Sequence, residues 1–228
     1  IHGASHYLRC TNFENRVSPT LANSGSIWAN NGGIRIDVHS GYLSNSLLNA
    51  NGSIQLFADN LVSRNTAIGA GSNTLGSLTV AVTNSFSDGG PDALNYWIVT
   101  AGFDFRRKPA TGDLMGTTIE SRVSRAPGRA DHYWAAEDRG ANPQGFTNNM
   151  ALGRLVLDSG TNSGRFFFIG ATNHSALYVD YLELQGFVLS GYQRGSLKNL
   201  LQLDPNVTLY FAYANVPVEE LDGELNGQ

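Results

Sequence analysis

The chain has 228 residues, 41% of them hydrophobic and only 15% charged, so it carries enough apolar material for a sizeable core and is not a disordered polyelectrolyte. Its net charge of -4 arises from 15 basic and 19 acidic residues with no long run of either sign. Phosphate binding needs a concentrated basic face, and the nearest groups, Arg106-Arg107-Lys108 and then Arg122, Arg125 and Arg129, read as solvated strand and loop residues, which excludes nucleic acid as a partner class.

Residues 1–17 are poor in apolar side chains, show no helix signal and read as an extended N-terminal arm. The chain starts at Ile1 with no charged-then-apolar leader, the pattern of a mature or trimmed product. Cys10 is the single cysteine, so no disulfide can form within the chain, and with no basic cluster beside it the thiol reads as inert. His2 and His6 have the only short histidine spacing, but zinc or copper draws more ligands than two, and no metal or other cofactor is expected.

Across 18–90 helical periodicity is absent, and short runs of period two take its place. They include Ser26-Ile27-Trp28-Ala29, Ile34-Arg35-Ile36-Asp37-Val38, Ile54-Gln55-Leu56-Phe57-Ala58 and Ser77-Leu78-Thr79-Val80-Ala81-Val82. Gly25-Ser26-Ile27, Gly52-Ser53-Ile54 and Gly76-Ser77-Leu78 recur at roughly 25 residues, the period of a coil in a parallel β-solenoid. Coils turn corners in left-handed backbone, which Asn and Gly tolerate best, and stacking would align inward Ile, Leu and Val into a column. An antiparallel sandwich with evenly spaced turns is the alternative.

Asp88-Gly89-Gly90-Pro91-Asp92 reads as a boundary, and 91–228 carries longer apolar strands. Tyr96–Thr100, Leu155–Leu157, Arg165–Ile169, Ala176–Leu184 and Val207–Tyr213 predict a jelly-roll-like β-sandwich, making the whole chain all-β in two units after the arm. Residues 195–201 and 217–221 have the pattern of short helical turns. No apolar run approaches the roughly 18 residues of a membrane helix.

Reactive side chains are densest at Asp131-His132-Tyr133-Trp134 and Glu137-Asp138-Arg139, where a carboxylate pair or a His with an orienting acid would be needed for hydrolysis. The pattern fits a loop rim around a buried Trp as well, and no nucleophile elbow or phosphate loop occurs, so no enzyme is expected. His39, His132 and His174 are scattered, and the glycines from Gly69 to Gly76 lead into a strand rather than a helix N-terminus. Trp134 and Tyr181 are candidates for stacking against sugar rings, with Val179 and Tyr181 expected on one strand face and Tyr178 and Asp180 on the other. Asn51, Asn173 and Asn206 head glycosylation sequons at turns or strand starts.

The runs from Gly25 to Val82 resemble the β-solenoid shafts of filamentous-haemagglutinin-like bacterial adhesins. Residues 176–184 and 205–215 resemble the C-terminal parts of uncharacterised extracellular proteins of environmental, Verrucomicrobia-like bacteria. The resemblance implies an extracellular or cell-surface location and no catalytic residues. A solenoid end left uncovered exposes strand edges, so the expected role is a structural subunit of a filament or surface layer, assembling head to tail on copies of itself through the solenoid ends or an exchanged terminal strand. A carbohydrate-binding adhesin module is the alternative, and a solenoid-borne polysaccharide lyase or hydrolase the third.

Overall fold

The computed structural model describes residues 7–10, 13–15, 20–72, 75–123, 128–171 and 175–225. They are nearly all-β, and the strands form a large parallel sheet system. The expected runs are all strands: Ser26–Ala29, Ile34–Ser44, Ile54–Arg64 and Ser77–Ser87 in the first part, then Asn95–Val99, Leu152–Asp158, Arg165–Gly170, Ser175–Gln185 and Val207–Ala214.

Strands close in sequence belong to two different ladders. The first ladder pairs Tyr7–Cys10 with Ser26–Ala29, then Leu47–Ala50, Ala67–Ala70, Asn95–Val99, Thr111–Arg122, Leu152–Asp158, Ser175–Gln185 and Val207–Ala214, every step parallel. The second runs from Phe13–Asn15 through Ile34–Ser44, Ile54–Arg64, Ser77–Ser87, Gly102–Arg107, Arg129–Trp134 and Arg165–Gly170 to Leu201–Leu203, again parallel.

Period-two alternation turns one side of each strand inward, and register stacks like on like. Ile27, Leu48, Ile68, Trp97, Ile119, Leu155 and Leu182 are successive partners in the first ladder, and all are buried. Ile34, Ile54, Leu78 and Phe103 do the same in the second, and both rows belong to one hydrophobic cluster. Burial of such side chains stabilises by roughly 1.5–3 kcal/mol each, which makes these rows the main source of cohesion.

The jelly-roll sandwich expected for 91–228 is corrected by the pairing. Strands there are parallel, as in the first part, and among the described residues the one antiparallel pairing joins Ala136–Glu137 to Ser175–Gln185. The ladders also cross the expected boundary, since Asn95–Val99 pairs with Ala67–Ala70 and Gly102–Arg107 with Ser77–Ser87. The misleading signal was burial on both faces. Ser175, Ala176, Leu177, Tyr178 and Val179 are consecutively buried because the segment from Ala136 to Asn149 covers their outward side.

Asp88 makes the expected boundary a junction. Its carboxylate accepts hydrogen bonds from the backbone N–H of Gly90 and Gly116 and from the Thr117 hydroxyl, at 2.9, 2.6 and 3.1 Å. Burial pushes the Asp88 pKa up against the lowering effect of those donors, and its role is structural. Asn95, buried beside it, donates to the Asp88 and Ser63 carbonyls, tying the two parts together.

Of the arm, Tyr7–Cys10 and Phe13–Asn15 are strands of the two ladders; its remaining residues, with His2 and His6, lie outside the described residues. At the C-terminal end Val216, Leu221 and Leu225 bury into the main cluster, and the Val218–Glu224 helix matches the predicted turn. A second helix, Phe187–Tyr192, was not foreseen; it starts at Gly186, φ 65°, where a Cβ would fall 2.3 Å from the Gly160 carbonyl oxygen.

Candidate functional site

Outward-facing positions of the first ladder also stack in register. Tyr96 partners Thr118, Thr118 partners Arg154, Arg154 partners Tyr181 and Tyr181 partners Tyr213. At about 4.8 Å per strand this row extends roughly 19 Å across the sheet. Tyr96 is 43% and Tyr213 65% exposed, large values for aromatic rings. In the first part the same register holds Ser26, Leu47 and Ala67, so the aromatic stretch starts at Tyr96.

Beside the row lies a lattice of paired charges. Tyr96 donates its hydroxyl to Glu120, and burial followed by that carboxylate pushes the phenol up to about 12. Arg122 binds Glu120 at 2.7 Å and reaches Asp158 at 3.8 Å, and Arg154 donates to Glu183 at 3.0 Å. For Glu183, partial burial raises the pKa, but donors from Arg154 and Gln185 outweigh it and hold the carboxyl below its usual range. The Arg154 guanidinium sits 5.5 Å from the Tyr181 ring centroid.

Two cavities flank the row. One of about 400 Å³ is lined by Asn95, Tyr96, Thr117, Thr118 and Arg154. The other, about 480 Å³, is walled by Pro143, Phe146, Tyr178, Tyr210 and Phe211. Met115 and Asp180 line both, so the two cavities adjoin. Its wall is fixed locally: Asn142 caps the Pro143–Phe146 turn by accepting from the Gln144 N–H at 2.8 Å, and Tyr178 donates to the Gly140 carbonyl at 3.0 Å. Gly145 passes so close to Tyr178 that a Cβ would meet its ring at 1.9 Å. Tyr210 stacks on Tyr178 at 4.8 Å and donates to Asp138 at 3.0 Å, burial and that carboxylate pushing its pKa up to about 12.

Of the sequence candidates, Tyr181 lies in the row and half-exposed, whereas Trp134 is corrected: it is 1% exposed, packed on Phe103 and Phe105, and cannot meet a sugar. Val179 and Tyr181 do not share a face. The strand changes its inward parity between Val179 and Leu182, both fully buried, which leaves Asp180 and Tyr181 outward together. The Asn51 amide donates to the Asn30 carbonyl and accepts from Ser72 at 2.8 Å, Asn206 is exposed, and Asn173 falls outside the described residues.

The reactive cluster splits across its strand. Asp131 points outward to Arg129 at 2.5 Å, while His132 is fully buried with Phe103 at 4.2 Å and Phe168 at 4.8 Å. Glu137 pairs with Arg139 at 2.8 Å, and the hydrogen bond from Arg139, helped by Lys108, holds its carboxyl low. His39 is exposed beside Asp59, and among the described residues no group of three or more metal-ligating side chains forms. Cys10 is a half-buried thiol 3.4 Å from the Trp28 carbonyl. Sequence reading missed Tyr96, Met115, Arg154 and Asp180, which only the pairing register brings together.

The chain matches no family model, no curated protein and no solved structure.

Proposed function

We propose that the chain is a β-solenoid module of an extracellular or cell-surface protein that holds a linear polysaccharide along the groove without cleaving it. The two ladders, repeating every 19 to 38 residues between partners such as Tyr7 and Ser26 or Leu114 and Leu152, support reading them as walls of stacked coils, in line with the resemblance to adhesin shafts. The observation that carries the function is the in-register row from Tyr96 to Tyr213. It runs across the strands, so successive rings of a polymer would meet successive strands, stacking on phenol faces and hydrogen-bonding the Arg154 and Thr118 side chains.

Electrostatics disfavour an acidic chain, because Glu120, Asp158, Asp180 and Glu183 outnumber Arg122 and Arg154 on this face. Among these carboxylates, Glu183 does not fit the acid role in cleavage. Glycoside hydrolysis needs one carboxyl kept protonated, and Glu183 is held low by its arginine.

Calorimetric titration with a panel of neutral linear glycans tests this reading. At least one should bind, the double variant Tyr181→Ala/Tyr213→Ala should weaken it by about tenfold or more with unchanged thermal unfolding, and no new reducing ends should accumulate. Binding that survives the double substitution sinks the groove.

Self-assembly is the second reading, supported by Tyr7–Cys10 and Phe13–Asn15, each paired on one side among the described residues. A head-to-tail filament needs two open ends, and the burial of Leu221 and Leu225 disfavours the second. Electron micrographs showing long fibres would restore it.

A further inference from the structure

We infer that the glycan held in the groove carries an N-acetyl group, which enters the apolar cavity between Met115 and Tyr210. This rests on the polysaccharide reading above and names the class of sugar.

The groove is chemically divided. Its cavity on the Asn95 side presents the Thr118 hydroxyl and the Arg154 guanidinium, which suit a bare sugar ring. Its other cavity presents Met115, Phe146, Tyr178, Tyr210 and Phe211, with Phe146 set edge-on to Tyr178 at 5.3 Å. Sugar hydroxyls placed there would lose water without gaining partners, a cost of roughly 1–3 kcal/mol for each unsatisfied group. An apolar substituent gains instead, through thioether and ring contacts.

Asp180 adds the second requirement. It lines both cavities, and among the described residues no hydrogen bond or ion pair reaches its carboxylate, whereas Glu120, Asp138, Asp158 and Glu183 all have partners. The occupant therefore places a hydrogen-bond donor at the mouth and a methyl-sized apolar group behind it. An acetamido substituent has that order: its N–H donates to Asp180 while its methyl contacts Met115 and the aromatic wall. An O-acetyl ester lacks the donor, and a free amine would meet Asp180 but leave the apolar wall without contact.

The test uses hexasaccharides with one β-1,4 backbone and three substituents: N-acetylglucosamine, glucose and glucosamine. By calorimetry the N-acetylated oligomer should bind about tenfold or more tightly than the glucose oligomer, the scale set by a filled apolar pocket. Asp180→Ala, on the surface, and Met115→Glu, which charges the pocket, should each bring the N-acetylated oligomer down to the affinity of the glucose oligomer. Equal binding of the N-acetylated and glucose oligomers overturns the inference and leaves the groove reading standing. Tighter binding of glucosamine also overturns it, in favour of Asp180 as an ammonium site. Loss of all glycan binding, across these and the wider neutral panel, overturns both.

Discussion

The two halves of the ladder use the same pairing for different ends. From Ile34 to Val82 partners in the second ladder lie 20 to 25 residues apart, the corners are short, and the outward register beside Ala67 is small or aliphatic. Beyond Asn95 the spacing rises to 36 residues between Ala130 and Phe166, and the added chain becomes the wall at Pro143–Phe146 and the helix at Phe187–Tyr192. Strand pairing fixes the rise per step whatever the loop length, so insertions are free to build a groove without disturbing the stack. The first half is a regular parallel stack, and the second is the same stack with longer connections.

The largest expected effect separates core from row within the second half. Trp134→Ala empties a site enclosed by Phe103 and Phe105 and should cost about 3–5 kcal/mol in urea unfolding. Tyr213→Ala, removing a ring 65% exposed, should stay within about 0.5 kcal/mol yet weaken glycan binding. Similar stability losses for both would erase the distinction.

Acid sharpens the comparison next, because only the second half buries a histidine among the described residues: His39 is 63% exposed, His132 fully buried. Burial pushes the His132 pKa from 6.5 down to about 3, opposed weakly by a backbone interaction with Asp131. The unfolded chain therefore binds the proton first. The native state keeps its full stability above about pH 6.5 and loses it as pH falls toward 3, by about 3 kcal/mol between pH 7 and pH 4. His132→Phe, in a core already lined by Phe103, Phe166 and Phe168, should flatten that dependence in urea titrations at the two pH values. An unchanged slope would mean that other groups govern acid loss.

The same split explains what the sequence disclosed. The heading Gly-Ser-apolar triplets mark the first half because its repeats are near-uniform: Ser53 and Ser77 come into contact, their hydroxyls 3.1 Å apart. Strand identity was legible throughout, since alternation depends on local burial alone. Pairing direction in the second half was not. A run such as 175–179 is buried on both faces in a sandwich strand and equally in a parallel strand under a covering loop, and the covering residues lie about 30 to 40 positions away. The site was hidden for the same reason: Tyr96, Arg154, Tyr181 and Tyr213 become neighbours only once spacings of unequal length are brought into register. Trp134 reads from sequence both as a buried residue and as a sugar-stacking candidate, and its alternation with Tyr133 places it inward.

The smallest effect concerns the corners, where the halves again differ. Among the described residues, the non-glycine ones with left-handed backbone in the first half are Asn45 and Asn65, at φ 50° and 52°; in the second, Asn148 and Met150 share that backbone with glycines such as Gly102, Gly112 and Gly160. Asparagine at such a corner also pairs with its neighbour above: Asn65 donates to Asn45 at 3.0 Å and accepts from the Leu94 N–H at 3.3 Å. Asn65→Ala forces an ordinary side chain into left-handed backbone and removes both bonds, so it should cost about 1–2 kcal/mol. Asn65→Gly relieves the backbone and loses only the exposed hydrogen bonds, a few tenths of a kcal/mol in their solvated setting. If thermal unfolding ranks the two equally, the amide ladder rather than backbone conformation holds the corners of the first half, and the glycine corners of the second half are then weaker joints than those asparagines.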